Sequence, residues 1–283
     1  MRYGVSGSFV CGVASLMLLF ATWAAAQAPQ TPQLSNVDLC NGKDRTSAEP
    51  QITGCTAIIK ANADSAPVLA IAHNNRGNAY TRKGEYELAI QDYDEAITLN
   101  PNYAKPLNNR GVVYQKKGEY DRAVEDFDAA IKIDPNYAEA FANRAETYQK
   151  KNEYSRALND FDEAVRLQPK LGLLRNERCW TRAIVGNLQE ALVDCNEALR
   201  LEPNVAATFD SRGLTYLKLG QWGLAIADYD SALRLNPKLA SARYGRGFAK
   251  VRKGDLAGGN ADIAAAKTAD QNVAEQFARY GLQ

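Results

Sequence analysis

A period of 34 residues runs through most of this chain and limits the folds that it can adopt. The clearest copy extends from Ala104 to Tyr137, with a small residue at Gly111, an alanine at Ala123 and a proline at Pro135. The same residue types recur in register, which gives six units: 70–103, 104–137, 138–171, 172–205, 206–239 and 240–273. A repeat of this length is one supersecondary unit, and it buries its apolar face only by stacking on its neighbours.

Each unit contains two amphipathic segments separated by a short turn. In the second unit, Leu107, Gly111 and Tyr114 are spaced four and three apart, so they share one face of a helix. Ala123 and Phe127 share a face of the following segment in the same way. The pattern therefore predicts an all-α fold of antiparallel helix pairs. The turns are expected at six equivalent positions: Gly84, Gly118, Asn152, Gly186, Gly220 and Gly254.

The repeat resembles that of the tetratricopeptide repeat family, in which a small residue, an aromatic residue, alanines and a proline recur at this period. The resemblance covers residues 70–273 and implies a right-handed superhelical solenoid. Some positions depart from the family pattern, such as His73, which replaces the usual tryptophan. The sixth unit has Gly259 in place of the alanine and Gln271 in place of the proline, so we expect its second helix to be weaker.

Residues 1–26 have the pattern of a secretory signal peptide. Arg2 supplies a positive charge, residues 9–23 are apolar, and residues 24–26 are small enough for a cleavage site. An uncleaved membrane anchor is the alternative, although the apolar run is short for a span. Residues 27–36 are rich in proline and glutamine and are predicted to form a disordered linker. We expect an exported bacterial protein, periplasmic or secreted, without a membrane span after signal cleavage.

The segments on either side of the array are predicted to cap it. Residues 37–69 carry a helical stripe of apolar residues but match the repeat poorly, so they are interpreted as a degenerate capping repeat. Residues 274–283 are assigned to a C-terminal capping helix and tail, with the helix beginning at Val273 and ending near Tyr280. Terminal units of an array are expected to be atypical because their outer face meets water.

Four cysteines remain after removal of the signal peptide: Cys40, Cys55, Cys179 and Cys195. Because an exported protein meets an oxidising compartment, we expect them to pair. The predicted disulfides are Cys40–Cys55 and Cys179–Cys195, each of which closes one helix pair. Metal binding is the alternative, but the only histidine is His73 and no close cysteine cluster exists, so no metal is expected.

Every unit carries an arginine in its first helix and an aspartate 16 residues later in its second helix. The arginines are Arg76, Arg110, Arg144, Arg178, Arg212 and Arg246, and the aspartates are Asp92, Asp126, Asp160, Asp194, Asp228 and Asp262. Because these positions fall at similar heights in an antiparallel hairpin, we predict an ion pair within each unit. The Asp-x-Asp runs, such as Asp92-Tyr93-Asp94, are interpreted as a solvated face, since residues two apart on a helix point in different directions.

Composition and motifs exclude several classes of function. The formal net charge of +1, with both signs mixed, does not favour binding of nucleic acid. No phosphate-binding loop, zinc signature or nucleophile elbow is found, so no catalytic residue and no cofactor are predicted. The family resemblance implies a scaffold that binds peptide segments or partner proteins on its concave surface. An envelope assembly factor or chaperone that acts on non-native clients is the alternative, and an enzyme is the least favoured class.

The family resemblance also places the first helices on the concave surface. In units one to three the candidate contact residues are mostly polar: Asn74, Asn78, Asn108, Asn109, Gln115, Glu146 and Gln149. In units four to six they are mostly apolar: Trp180, Leu214, Leu217, Tyr244 and Phe248. We expect the second set to form a continuous exposed strip that anchors a partner. The alternative is that these side chains pack against the C-terminal capping helix.

Overall fold

The computed structural model describes residues 34–44, 47–61 and 65–282. Within these residues the chain forms fifteen helices and no strand, which confirms the predicted all-α fold. The helices are α1 (Asn36–Cys40), α2 (Glu49–Ala61), α3 (Ala66–Lys83), α4 (Tyr86–Leu99), α5 (Ala104–Lys117), α6 (Tyr120–Ile133), α7 (Ala138–Lys150), α8 (Tyr154–Leu167), α9 (Gly172–Val185), α10 (Leu188–Leu201), α11 (Ala206–Lys218), α12 (Trp222–Leu235), α13 (Ala240–Arg252), α14 (Leu256–Ala269) and α15 (Val273–Arg279). The predicted signal peptide and most of the predicted linker lie outside the described residues.

Consecutive helices form antiparallel pairs that stack into a solenoid. Each helix of a pair packs on the other, and the second helix also packs on the first helix of the next pair. First helices of neighbouring pairs touch as well, as α9 does with α11 and α11 does with α13. The first helices therefore lie side by side along one face of the solenoid, which we call the inner face.

The turns inside the pairs fall at the six predicted positions, all of which adopt a positive φ angle. Five are glycines, and the sixth is Asn152 with φ of 60°. At Gly118, where φ is 80°, the amide donates to the carbonyl of Gln115 and the amide of Glu119 donates to the carbonyl of Tyr114. A glycine in this left-handed conformation ends the helix and satisfies its last carbonyls, which explains the recurrence of glycine here.

A close approach between the two helices of a pair explains the recurring small residue. A Cβ atom placed on Gly111 would lie 2.7 Å from the ring of Phe127, and one on Gly77 would lie 2.7 Å from the ring of Tyr93. In the fourth unit the same two positions are Cys179 and Cys195, which form a disulfide with Cα atoms 5.5 Å apart. A covalent bond therefore replaces the aromatic ring as the link between α9 and α10.

The N-terminal cap is more helical than the sequence predicts. Helix α1 begins at Asn36, inside the predicted linker. The side chain of Ser35 caps this helix by accepting a hydrogen bond from the backbone amide of Asp38. The other predicted disulfide, Cys40–Cys55, joins α1 to α2 with Cα atoms 4.5 Å apart. Helix α3 begins at Ala66, ahead of the predicted start of the first unit.

At the other end, α14 is as long as the second helices of the other units, although the sequence predicts a weaker helix there. The side chain of Asp255 accepts the amide of Gly258 and caps its first turn. The predicted capping helix is present as α15, with Val273 and Phe277 buried. None of the helices in the described part of the chain has the length and apolar character of a membrane span.

Candidate binding groove on the inner face

The predicted arginine–aspartate pair is present in all six units. In the second unit, Arg110 Nε donates to Asp126 Oδ2 at 2.9 Å, and Nη2 donates to Asp126 Oδ1 at 2.6 Å. The other five units repeat this bidentate geometry. In the first unit, His73 Nδ1 also lies 2.9 Å from Asp92 Oδ1, so His73 packs against the ion pair.

The second aspartate of each Asp-x-Asp run has a structural role that the sequence analysis missed. Asp94 accepts a hydrogen bond from Arg110 of the following unit. Equivalent contacts join Asp128 to Arg144 and Asp162 to Arg178. The arginine therefore connects the second helices of two neighbouring units. The recurrence of this second carboxylate at steps of 34 was the available signal.

The predicted asparagines of the inner face mostly bond to one another. Asn109 Nδ2 donates to Asn74 Oδ1 at 3.0 Å and to Asn78 Oδ1 at 2.9 Å. Asn143 Nδ2 donates to Asn108 Oδ1 at 2.9 Å. Asn74 and Asn108 are buried, so these two amides have a structural role. Contrary to the expectation, they are not available to a partner. A polar chain of this kind satisfies its own buried groups and fixes the spacing of the helices.

Gln115, a further polar candidate of the inner face, also bonds to a neighbouring helix. Its Nε2 donates to Thr147 Oγ1 at 3.0 Å and so connects α5 to α7. Gln149, one repeat later, donates to Thr181 Oγ1 at 2.9 Å and connects α7 to α9. Glutamines at this position therefore join consecutive first helices.

The expectation of a continuous exposed apolar strip is wrong. Leu214 is 4% exposed and Leu217 is 1% exposed. Trp180, Tyr244 and Phe248 are partly buried against the same cluster. The physical reason is that the C-terminal segment packs on this face, with Tyr280 against Trp180, Phe277 against Tyr244, and Phe277 in the same cluster as the two leucines. The alternative interpretation, in which the strip packs under the capping helix, is the one that the structure supports.

A groove of about 500 Å³ remains open next to this covered region. Its walls are the end of α7, the turn into α8, the first helices α9 and α11, and α15. Of the predicted contact residues, Trp180 and Gln149 line it. The ring of Trp180 lies between those of Tyr154 and Tyr280, with centroid separations of 5.8 Å and 5.6 Å. The groove therefore has an aromatic wall.

The groove is also lined by two carboxylates that the sequence analysis missed, Glu177 on α9 and Asp210 on α11. Burial raises the pKa of Glu177, and the nearby charge of Glu146 raises it further. Burial raises the pKa of Asp210 to about 6, although the Ser241 hydroxyl donates to its Oδ2 at 2.7 Å. Burial raises the pKa of Glu146 as well. Glu177 stands one repeat after the inner-face Asn143, so the register was a signal that could have identified it.

Asn176 completes the polar part of the groove. The residue is 4% exposed, and its Nδ2 donates to Glu177 Oε1 at 3.3 Å. Its Oδ1 has no hydrogen-bond partner among the described residues. A buried acceptor without a donor is unusual, because it has lost its hydrogen bonds to water and no protein hydrogen bond replaces them. No cluster of three or more histidines, cysteines or acidic residues suited to a metal ion exists in the described ranges.

Comparison with known proteins agrees with this architecture. A TPR repeat family matches residues 77–118 and 213–254, and two further tetratricopeptide repeat families match residues 104–137 and 127–159. No curated protein sequence matches the chain.

Several solved structures share the fold. A tetratricopeptide repeat protein from Parabacteroides merdae is 20% identical with a TM-score of 0.63, over 87% of this chain and 98% of its own. YrrB, described as a TPR protein with an unusual peptide-binding site, is 21% identical with a TM-score of 0.52, over 66% of this chain and 97% of its own. PilW, described as a type IV pilus biogenesis factor, is 19% identical with a TM-score of 0.63, over 71% and 93%. The matched segments therefore show that the chain contains tetratricopeptide repeats, and the solved structures share its fold of stacked helix pairs.

Proposed function

We propose that this chain is a scaffold that binds a segment of a partner protein in the groove between α7, α9, α11 and α15. The observation that carries the proposal is the groove itself, which has an aromatic wall and a buried acceptor without a partner. On one side the asparagines bond to one another, and on the other α15 covers the apolar residues. YrrB, which shares the fold, is described as having a peptide-binding site.

The groove has features that favour a peptide segment over a flat protein surface. It is concave, and concave sites bury a larger fraction of a ligand than flat ones. Trp180, Tyr154 and Tyr280 offer rigid aromatic area, and residues of this type dominate the energy of protein interfaces. The partner segment is expected to place an anchor residue against this aromatic wall.

Site-specific photo-crosslinking tests the proposal. A photoreactive amino acid is placed at Lys150, which is exposed and lines the groove, or at Glu190, which is exposed on α10. We expect a crosslinked partner from position 150 only. Trp180→Ala should then weaken binding of that partner by about tenfold, or ~1.4 kcal/mol, with helicity unchanged. Equal crosslinking from both positions, or normal binding by Trp180→Ala, would contradict the proposal.

We propose in addition that the protein is exported and loses its signal peptide. Two observations support this: residues 1–26 have the pattern of a signal peptide, and four cysteines lie at disulfide distance in two pairs. Intact-mass measurement of the protein from its own cells is the test. The expected N-terminal residue is Gln27, and a mature chain that retains residues 1–26 would contradict cleavage.

A further inference from the structure

We infer that the groove receives the cationic side chain of a single lysine or arginine from the bound segment. The inference rests on the proposed function, because it assumes that a peptide occupies the groove, and it adds the chemistry of the residue that is recognised. Three acceptors, an aromatic wall and the distribution of charge around the groove carry it.

The first observation is the pair of carboxylates in the groove. Glu177 and Asp210 lie on adjacent first helices, and α9 and α11 are in contact. Asp210 accepts a hydrogen bond from Ser241 at 2.7 Å, and Glu177 accepts one from Asn176 at 3.3 Å and is also near the side-chain amide of Gln149. Neither carboxylate forms an ion pair with a basic side chain of the described residues, although the charge of Lys150 acts on Glu177. Burial raises the pKa of both carboxylates, because their charged forms have lost solvation. A ligand cation would offset this loss by its opposite charge.

The second observation is independent of charge. Asn176 Oδ1 is a buried acceptor without a donor among the described residues, and Asn176 lines the same groove. Because its Nδ2 already donates to Glu177, the oxygen is the atom of this amide that is left to accept a hydrogen bond from a bound segment. An ammonium group has three N–H donors and a guanidinium group has five, so a basic side chain has at least as many donors as the groove has acceptors of this kind. A neutral or anionic anchor brings no positive charge to either carboxylate.

The third observation is the aromatic wall. The Trp180 ring has Tyr154 at 5.8 Å and Tyr280 at 5.6 Å, in edge-to-face arrangements on both sides. A cation close to the face of a tryptophan is attracted by the ring quadrupole. The methylene groups of lysine or arginine also pack on apolar rings while the charge stays with polar groups. An acidic floor beside an aromatic wall therefore matches both parts of a basic side chain.

Two cations of the protein also line the groove, and they limit the ligand further. Arg279 donates to Glu275 at 2.7 Å, and Lys150 is exposed in the last turn of α7. Their charges repel a segment that is basic throughout. The recognised segment is therefore one basic residue in a neutral or acidic sequence, which separates this site from a general polyanion surface.

A randomised peptide library tests the inference on the full chain. Immobilised protein is incubated with a pool of blocked octapeptides, and the retained peptides are sequenced. The test variant is Glu177→Gln with Asp210→Asn, which keeps shape and removes charge. The matched control is Glu125→Gln with Glu190→Gln, which removes two exposed carboxylates from α6 and α10. Circular dichroism and urea unfolding verify that each protein is folded.

We expect lysine and arginine to be enriched about tenfold at one position for the wild-type protein and for the control. The groove variant should reduce that enrichment to roughly twofold or less. If the groove variant does not fold, Glu177→Gln alone serves, with the same direction and a smaller reduction. Retained peptides without a basic preference, or a preference that survives in the groove variant, would overturn the inference but leave the proposed function intact. If the protein retains no peptide, or binds only a free polyamine such as spermidine, both the inference and the proposed function would be overturned.

Asn176→Leu supplies a second test with a different readout. The change removes the acceptor and leaves both carboxylates. We expect the selected basic peptide to bind about tenfold more weakly. A peptide in which norleucine replaces the basic residue should bind weakly and equally to both proteins. Unchanged affinity of the basic peptide would show that the free oxygen does not receive it, and would overturn the assignment of Asn176.

Discussion

The rings of Trp180 and Tyr280 pack edge to face, with centroids 5.6 Å apart and planes at 89°. Trp180 belongs to a first helix of the fourth unit, and Tyr280 follows the last helix of the chain. The contact therefore brings the C-terminus back across two units of the array. It divides the inner face into a covered apolar part and an open polar groove.

Tyr280→Ala is expected to destabilise the protein by about 2 kcal/mol, because it removes a half-buried ring that packs on Trp180 and Phe277. Urea unfolding measures the loss. Arg279→Ala is the control at the adjacent position, where an exposed pair with Glu275 is removed, and it should cost under about 1 kcal/mol. Equal effects of the two changes would show that Tyr280 does not hold the C-terminus in place.

The two carboxylates that meet Arg110 should differ in importance. The side chain of Asp126 is 8% exposed and that of Asp94 is 51% exposed. Asp126→Ala is expected to cost about 3 kcal/mol, because it leaves a partly buried guanidinium without its bidentate partner. Asp94→Ala should cost under about 1 kcal/mol, because water replaces an exposed carboxylate. Chemical denaturation of both variants is the measurement, and a larger loss for Asp94→Ala would reverse the ranking.

Arg110→Leu should be costly as well. Leucine leaves Asp126 buried with neither of the two hydrogen bonds that it accepts from Arg110. We expect a loss of about 3 kcal/mol in the free energy of unfolding, and recovery of most of it when Asp126→Leu is added. A near-neutral single variant would show that solvent reaches the carboxylate.

The Cys179–Cys195 disulfide occupies the core position that Ala145 and Phe161 occupy in the third unit. Cys179→Ser with Cys195→Ser should cost about 3 kcal/mol, as expected for a crosslink with a sequence separation of 16. Cys179→Ala with Cys195→Phe copies the third unit and should recover part of that loss. Thermal unfolding with and without reductant is the test, and no benefit of the copied pair would mean that α9 and α10 are spaced differently from α7 and α8.

The raised pKa of Asp210 predicts a specific pH dependence. The ordinary value is 3.8, and burial raises the folded pKa to about 6. The folded state therefore binds more protons than the unfolded state between about pH 4 and pH 6, and the stability falls as pH rises through this window. Asp210→Asn still accepts from Ser241 but does not ionise. The variant should be more stable than wild type by about 3 kcal/mol at pH 7 and equal to it below pH 4. A constant difference across this range would contradict the burial of the carboxylate.

The sequence predicted the fold well because its signals are local and repeated. The turn at Gly118 and the contact between Gly111 and Phe127 depend on residues of one unit, so a period of 34 residues reveals them. The disulfide between Cys179 and Cys195 follows from the same register.

The site was harder to predict because it depends on how far the superhelix brings distant segments together. No sequence pattern around Tyr280 shows that its ring contacts Trp180. That contact decides which inner-face residues are exposed. Leu217 appears available in a helical projection, yet it is buried in the cluster that includes Phe277. Asn176 was missed because an unpartnered oxygen is visible only once every neighbour is placed.

Hydrogen exchange of the protein with and without the selected basic peptide tests the central claim most directly. The account predicts slower amide exchange at α9, α11 and α15, which form the groove, and no change at the second helices α10 and α12. Glu177→Gln with Asp210→Asn should abolish the protection, and Glu125→Gln with Glu190→Gln should retain it. Protection confined to α10 and α12, or protection that survives in the groove variant, would place the partner elsewhere and contradict the account.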